Sequence, residues 1–483
     1  MRFSQKILRS PTLLLYLLLA AFFLKGVFVA TLFPMFTGQD EARHYNSVQY
    51  INEPTDKNWE KNDRRTSVNR DVFSDYNFSE EILNAGTASG IDNIRSGLYN
   101  TTDFSDTSEG KREQDILEQK WRPYNLFKYP DAVRGSLYHT MVAHIEKALA
   151  GENILVRFYS IRIFSVFLGT IAVLLAFCIT RTIGFSSFIA TLFAALVAFQ
   201  PKFSMYMTNI NYDTLLIPLF FLFTWGAVLS LRDGFNWKNA SVMITAIAIG
   251  VFTKGTAVIL FVVFLGLVGF HLFKKAKNPK KILLSATLFA GVFLIANSLL
   301  ETKYSLSEFL PFKGSATETI LSLGDYLDKS LTPGRFALSS RTYWGSLGWN
   351  DDLIVNNLTT LLWPIQIISA IGLILFLFTR NKPDFLPEKK FIIFLIAMII
   401  ALQLGIRLAD WNVFRAIGTI ELGTPGRYFL PNLATHLILV MVGLGMLFGK
   451  REYFRNLLLG GVLLLFFFSL YLTIDVILPR FYL

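Results

Sequence analysis

Apolar residues in this chain come in blocks of about 20 rather than at helical or strand spacing, and a block of that length crosses a hydrocarbon core about 30 Å thick. No other feature limits the fold as strongly. The composition agrees: 53% of the 483 residues are hydrophobic and 46 are Phe, above the roughly 45–50% of an ordinary soluble domain. The chain therefore reads as an all-α polytopic membrane protein whose core is built against lipid, a single membrane domain over residues 1–483.

The N-terminus carries Arg2, Lys6 and Arg9 ahead of an apolar run from Thr12 to Phe36. A secretory signal has a shorter apolar region and a small-residue cleavage site, so this run is expected to be a first span. Further spans are expected at 158–179, 186–206, 214–231, 239–253, 255–273, 282–300, 358–379, 391–409, 428–448 and 456–477, about eleven in all. With the N-terminus inside, the inner loops hold 18 basic residues against four acidic ones, Asp233, Asp384, Glu388 and Glu452. That asymmetry follows the positive-inside rule and puts the N-terminus in the cytoplasm and the C-terminus outside. Two long outer segments result, 37–157 and 301–357, with a shorter one at 410–427. The first has helical-looking pieces, "SEEILNAG" and "GKREQDILEQKW", around a Gly/Ser/Thr/Asp-rich middle that reads as irregular loop.

The net charge of +11 does not indicate nucleic acid. Residues Gly38 to Arg157 hold 20 of the 35 acidic and 15 of the 46 basic residues, so the outer segment is net negative and the positive excess sits in short loops. The single cysteine, Cys178, lies in an apolar block and reads as packing, which leaves the outer loops to fold without a disulfide.

The polar positions beside the spans carry the functional signal. Asp40 and Glu41 follow the first span directly. One can act as general base toward a hydroxyl, or the pair can bind a divalent cation through oxygen; equally, both can be acids at a solvated helix start. His44 shares a helical face with Asp40 and can orient it, bind phosphate or join a metal site, or simply hydrogen-bond locally. In "MTNINYDTLLIPL", Asn211 and Asp213 lie between two spans, either capping the next helix or facing substrate. Lys254 interrupts an apolar stretch and can neutralise a lipid phosphate or snorkel to the interface; Lys25, inside the first span, is expected to snorkel outward. "SSRTYWGSLGWNDD" offers Arg341, Trp344, Trp349, Asp351 and Asp352, where aromatic faces suit a sugar or an interfacial belt. "ELGTPGRYFLP" puts Arg427 and Tyr428 at a span entrance with Glu421 nearby, and arginine's fork suits phosphate.

The order "QDEARHYNSVQY", "RFYSIRIFSVFLGTIAVLLAF", "FQPKFSMYMTNINYDTLLI", "FTKGTAVIL", "RTYWGSLGW", "GTPGRYFLP" resembles a bacterial multispan membrane protein family of unknown function that looks like a branch of the GT-C glycosyltransferase superfamily. The resemblance covers almost the whole chain. It implies a GT-C-like membrane glycosyltransferase that moves a sugar from a polyprenyl-phosphate donor to a glycan, lipid or protein acceptor on the extracytoplasmic face of a bacterial plasma membrane. It also implies that Asp40, with Glu41 as alternate, is base or metal ligand, and that Asn211, Asp213, Lys254 and Arg427 line the site with the cations facing the donor phosphate; His44, Arg341, Trp344 and Tyr428 are expected to bind substrate beside them. The long first outer loop departs from that pattern. Two further readings stand beside it. A flippase of lipid-linked sugars needs polar residues through the middle of the spans. A non-catalytic component of polysaccharide assembly does not need Asp40, Lys254 and Arg427 to converge.

Overall fold

The computed structural model describes residues 11–52, 81–82, 85–86, 135–275, 316–347, 353–354, 359–360, 362–417, 420 and 425–479. In chain order the elements are α1 (Pro11–Leu32), α2 (Glu41–Ile51), α3 (Leu137–Ala148), α4 (Ile154–Thr182), α5 (Ser187–Phe199), α6 (Pro201–Tyr206), α7 (Asp213–Asp233), α8 (Trp237–Thr253) and α9 (Val258–Lys275). After these come α10 (Ala316–Ser330), α11 (Pro333–Trp344), a two-residue antiparallel ladder of β1 (Ser346–Leu347) with β2 (Leu353–Ile354), α12 (Leu362–Phe378), α13 (Lys389–Ile417), α14 (Leu433–Phe448) and α15 (Arg451–Tyr471). Helix dominates because lipid offers the backbone no hydrogen-bond partner, so each span must satisfy its own.

Among the described residues seven helical stretches are long and apolar enough to cross a membrane, and α5, α8 and α12 are shorter apolar helices. Together they stand at ten of the eleven expected span positions; the eleventh, 282–300, lies outside the described residues, as do most of 37–157, Trp349, Asp351, Asp352 and Glu421. This is an integral membrane protein of all-α architecture.

Two departures from the expected spans have local causes. The block 186–206 is broken into α5 and α6 because Pro201 cannot donate to the helix ladder, while Gln200 caps α6 through Phe203 N. The Gln200 Nε2 then donates to Tyr343 O (2.6 Å), fastening the break to α11. At Lys254 a short 3-10 turn, Gly255–Ala257, separates α8 from α9, at the boundary expected between the spans 239–253 and 255–273. Finally, α1 ends at Leu32, four residues before the apolar run does, and Phe36 and Asp40 adopt left-handed backbone conformations.

The core is a bundle in which α7 packs along α8 and α4, α1 along α4, and α12 along α14. At the last of these crossings a Cβ on Gly372 would lie 2.0 Å from Gly443 O, and one on Gly443 would lie 2.1 Å from Ser369 O, so only glycine permits the approach. Close backbone contact through small residues is how membrane helices gain packing energy without a hydrophobic drive between them.

Two intramembrane cations are fully engaged. Arg162 of α4 is completely buried, and Lys25 of α1 donates to Ser469 Oγ (2.6 Å) and Ser204 Oγ (3.2 Å) over the ring of Phe199. Lys25 therefore turns inward, contrary to the snorkelling expected, because two hydroxyls from other helices solvate its ammonium group inside the bundle.

Candidate active site

The loop between α1 and α2 turns two neighbouring carboxylates in opposite directions. Asp40 stands before α2 with φ 55° and ψ 15°, a conformation that Asp tolerates because its short polar side chain can bond locally. Such a backbone typically costs about 1–3 kcal/mol and is kept where the surroundings enforce it. It occupies the N-cap position of α2, but its side chain makes no capping bond to the helix.

Glu41 turns inward and is fully buried. Its Oε1 accepts from Arg162 Nε (2.8 Å) and Ile210 N (3.0 Å); its Oε2 accepts from Arg162 Nη2 (2.6 Å) and Gly38 N (3.1 Å). The remaining Arg162 hydrogens go to the carbonyls of Ala30, Phe33 and Pro34. This bidentate pair ties the end of α1, the start of α2, α4 and the turn before α7 into one unit.

Asp40 instead faces a cluster drawn from separate stretches of chain. Arg427, in the 3-10 turn Gly426–Asn432 ahead of α14, donates to Asp40 Oδ2 (3.2 Å) and to Tyr428 Oη (3.2 Å). Lys254, in the turn after α8, donates to Asp213 Oδ1 and Oδ2 (2.7 and 3.0 Å), and its Nζ lies 4.5 Å from the Tyr212 ring centroid and 4.9 Å from that of Tyr428. Burial works against the Lys254 charge, but the Asp213 carboxylate overrides it and holds the lysine above its ordinary pKa. Tyr206 Oη donates to the same carboxylate (3.1 Å). The capping work at α7 belongs to Asn211, whose Oδ1 accepts from Asp213 N (2.9 Å) while its Nδ2 donates to Gln39 O (3.3 Å). That leaves the Asp213 carboxylate for Lys254.

His44 lies on α2 beside Tyr212 and hydrogen-bonds to His139 of α3. Gly426 is what lets the Arg427 turn dock: a Cβ there would lie 2.2 Å from Tyr343 N and 2.5 Å from Ser339 O. The Gly426 N also donates to Thr342 Oγ1 (2.7 Å), so the turn is seated on α11.

The structure thus brings Asp40, Asp213, Lys254, Arg427 and Tyr428 into one contact network, with His44 and Asn211 at its edge. Glu41 supports it from beneath. Trp344 is only 5% exposed and packs against Tyr343 and His436, so it does not stand in an outward belt. It lines a cavity of about 760 Å³ among α11, α12, α13 and the Arg427 turn, together with Phe336, Trp363, Phe429, Asn432 and His436. Arg341 lies on α11 and donates to Ala337 O of its own helix (3.3 Å).

As for a metal, Asp40 and Glu41 point to different arginines and do not form a shared oxygen site. Among the described residues no group of three His, Cys, Asp or Glu side chains converges. These residues do not fit a divalent cation held by that pair.

Several contributors were not foreseen from the sequence. Arg162 was the most legible of them, since an arginine inside an apolar block needs a partner. A second buried network joins Arg157 to Glu146 and Glu81, with Tyr45 Oη donating to Glu146 (2.9 Å), and it holds α2, α3 and α4 together. Helix α3 itself and His139 left no signal in the sequence reading.

A search of curated proteins gave no match. Residues 146–298, about a third of the chain and the stretch that carries Asp213 and Lys254, match the family model described as dolichyl-phosphate-mannose-protein mannosyltransferase. Over that stretch the chain is similar to a family of the GT-C superfamily, and the match supports a GT-C-type membrane glycosyltransferase.

Proposed function

We propose that the protein transfers a sugar from a polyprenyl-phosphate donor to a hydroxyl acceptor on the extracytoplasmic face of the membrane. The observation that carries this reading is the convergence of Asp40, Lys254 and Arg427, which start some 170 to 390 residues apart in sequence and meet around Tyr428. A non-catalytic scaffold has no need of that meeting. A conduit for lipid-linked sugars is disfavoured because the intramembrane cations Arg162 and Lys25 are held by partners inside the bundle.

In this reading the acceptor hydroxyl gives its proton to Asp40 and its oxygen attacks the anomeric carbon. The bond from that carbon to the phosphate oxygen breaks, and the polyprenyl phosphate leaves with the electron pair. A single displacement inverts the anomeric configuration. Asp40 suits the role of base because one contact to Arg427 leaves carboxylate lone pairs for the hydroxyl, and its side chain is 36% exposed to an incoming acceptor. Lys254 and Arg427 stabilise the negative charge growing on the departing phosphate, fixed in place beforehand by Asp213 and Tyr428. The largely apolar cavity beside the Arg427 turn accommodates the isoprenoid chain. The acceptor is an envelope glycan, lipid or protein.

The test is transfer of labelled sugar from a panel of polyprenyl-phosphate donors by purified protein, wild type beside Asp40→Asn. Loss of the base lowers transfer by about 10²–10⁴-fold, and a chelator leaves the wild-type rate unchanged. Undiminished transfer by Asp40→Asn removes Asp40 from the role. Absence of turnover with every donor, alongside movement of a lipid-linked sugar across vesicle bilayers, replaces the enzyme with a flippase.

A further inference from the structure

His44 is 2% exposed and His139 is completely buried; their rings stack at 5.1 Å, with Nδ1 of His44 2.9 Å from Nε2 of His139. Only one hydrogen fits between two such nitrogens, and the far end of the pair decides which ring carries it. Helix α3 opens with a capping box in which His139 occupies the position where Glu or Gln usually sits. The Ser136 backbone N–H donates to His139 Nδ1 (3.0 Å), and Ser136 Oγ accepts from His139 N (3.4 Å). A backbone amide can only donate, so Nδ1 of His139 offers its lone pair, the Ser136 hydroxyl 2.9 Å away is left to donate to the same nitrogen, and the ring carries its hydrogen on Nε2. That hydrogen goes to Nδ1 of His44. His44 in turn carries its own hydrogen on Nε2, which meets no hydrogen-bond partner among the described residues. Its ring meets Tyr212 nearly at right angles (4.7 Å), the same ring against which the Lys254 ammonium group rests.

We propose that Ser136, His139 and His44 form a tautomer lock that makes His44 a neutral, donor-only ligand for a phosphoryl oxygen held between Lys254 and Arg427. In that state His44 has no ring lone pair left, so it serves neither as general base nor as metal ligand. Protonating it would set two N–H groups head-on at the His139 contact and add a third cation beside Lys254 and Arg427. The groups that face it all oppose that charge or carry none: Arg43 on its own helix, His139 on α3, Tyr212 ahead of α7, Lys254 after α8, and Arg427. Consistently, burial first, then Lys254, Arg427 and Arg43, push the His44 pKa down to about 3, and burial pushes His139 well below the ordinary histidine value. A donor fixed in this way contributes its hydrogen bond without reorganisation when charge develops on the phosphate. The lock stands on the geometry alone; the choice of phosphate rests on the transferase reading.

The experiment is long-range nitrogen–proton NMR of the full chain in lipid nanodiscs with labelled histidine, since only five histidines need assigning. Wild-type His44 and His139 are both expected as the Nε2–H tautomer from pH 5 to 8. Farnesyl phosphate is expected to shift the His44 Nε2 signal, with inorganic phosphate at the same concentration shifting it less. His139→Gln presents an amide donor at the same place and leaves the His44 tautomer unchanged. His139→Glu presents an acceptor, so His44 takes its hydrogen on Nδ1 and titrates near neutral pH. In a transfer assay His139→Glu raises the donor KM about tenfold, the loss of about one hydrogen bond, while His139→Gln does not. A wild-type His44 that carries Nδ1–H, or that titrates between pH 5 and 8, overturns the lock. A locked His44 that responds to neither phosphate overturns the ligand, and an equal response to inorganic phosphate overturns its lipid source. A locked, phosphate-responsive His44 in a protein without transfer supports the lock and counts against the transferase reading instead.

Discussion

Glu41 exposes none of its carboxylate and commits both oxygens to Arg162 and two backbone amides, whereas Asp40, one residue earlier, is 36% exposed and holds Arg427 by one contact of 3.2 Å. The chemical group is the same in both. What separates them is the left-handed backbone at Asp40, which starts α2 after that residue and sends the two side chains apart. A carboxylate with every lone pair satisfied in a dry site is a structural anchor. One with spare acceptor capacity at a solvent edge is available for chemistry.

The largest expected effect strikes the anchor. Arg162→Met strands the Glu41 carboxylate in the core, and removing one partner of a buried pair costs about 3–5 kcal/mol. Thermal unfolding in detergent should show that loss, and adding Glu41→Gln should restore part of it because the orphaned charge disappears. Asp40→Asn should leave the same unfolding curve within about 0.5 kcal/mol while, on the proposed transferase reading, it lowers transfer by about 10²–10⁴-fold. Equal destabilisation by the two substitutions would erase the distinction between anchor and reactive group.

The second pair of the site, Asp213 with Lys254, lies between those extremes, since its side chains are 6% and 16% exposed. A double-mutant cycle of Asp213→Asn and Lys254→Met should give a coupling of about 0.5–3 kcal/mol. Additive single effects would mean that each group acts through other neighbours. The last expected effect concerns acid. The pKa of His44 is about 3 in the fold against an ordinary 6.5, so below pH 6.5 the unfolded chain binds the proton that the fold refuses. Stability from this residue is therefore complete above pH 6.5 and falls as pH drops toward 3, by about 1.4 kcal/mol per pH unit. His44→Gln should flatten that slope in unfolding curves recorded between pH 7 and pH 5.

Much of the architecture was readable because a membrane helix declares itself over some 20 consecutive residues. The same rule hid the break at Gln200–Pro201, where a helix kept its apolar composition while losing one donor. The candidate site was half readable. Asp40, Asp213, Lys254 and Arg427 stood out as charges that an apolar neighbourhood would not tolerate without partners. Their pairing did not, because Asp40 with Arg427 spans 387 positions and no local pattern records such a contact. The sequence ranked Asp40 ahead of Glu41 only by resemblance, and a backbone angle is what sends the two carboxylates to different partners. His139 was invisible, since a histidine at the third position of a helix takes its meaning from a neighbour 95 residues away.

By itself, then, the sequence determined the helical membrane-spanning class and a set of charges that had to find partners, for both follow from the cost of placing polar groups against lipid. Which charge met which, and which carboxylate was left with lone pairs to offer, was decided only by the tertiary structure. Pairing energies depend on distance and burial, and those exist only once the helices have packed.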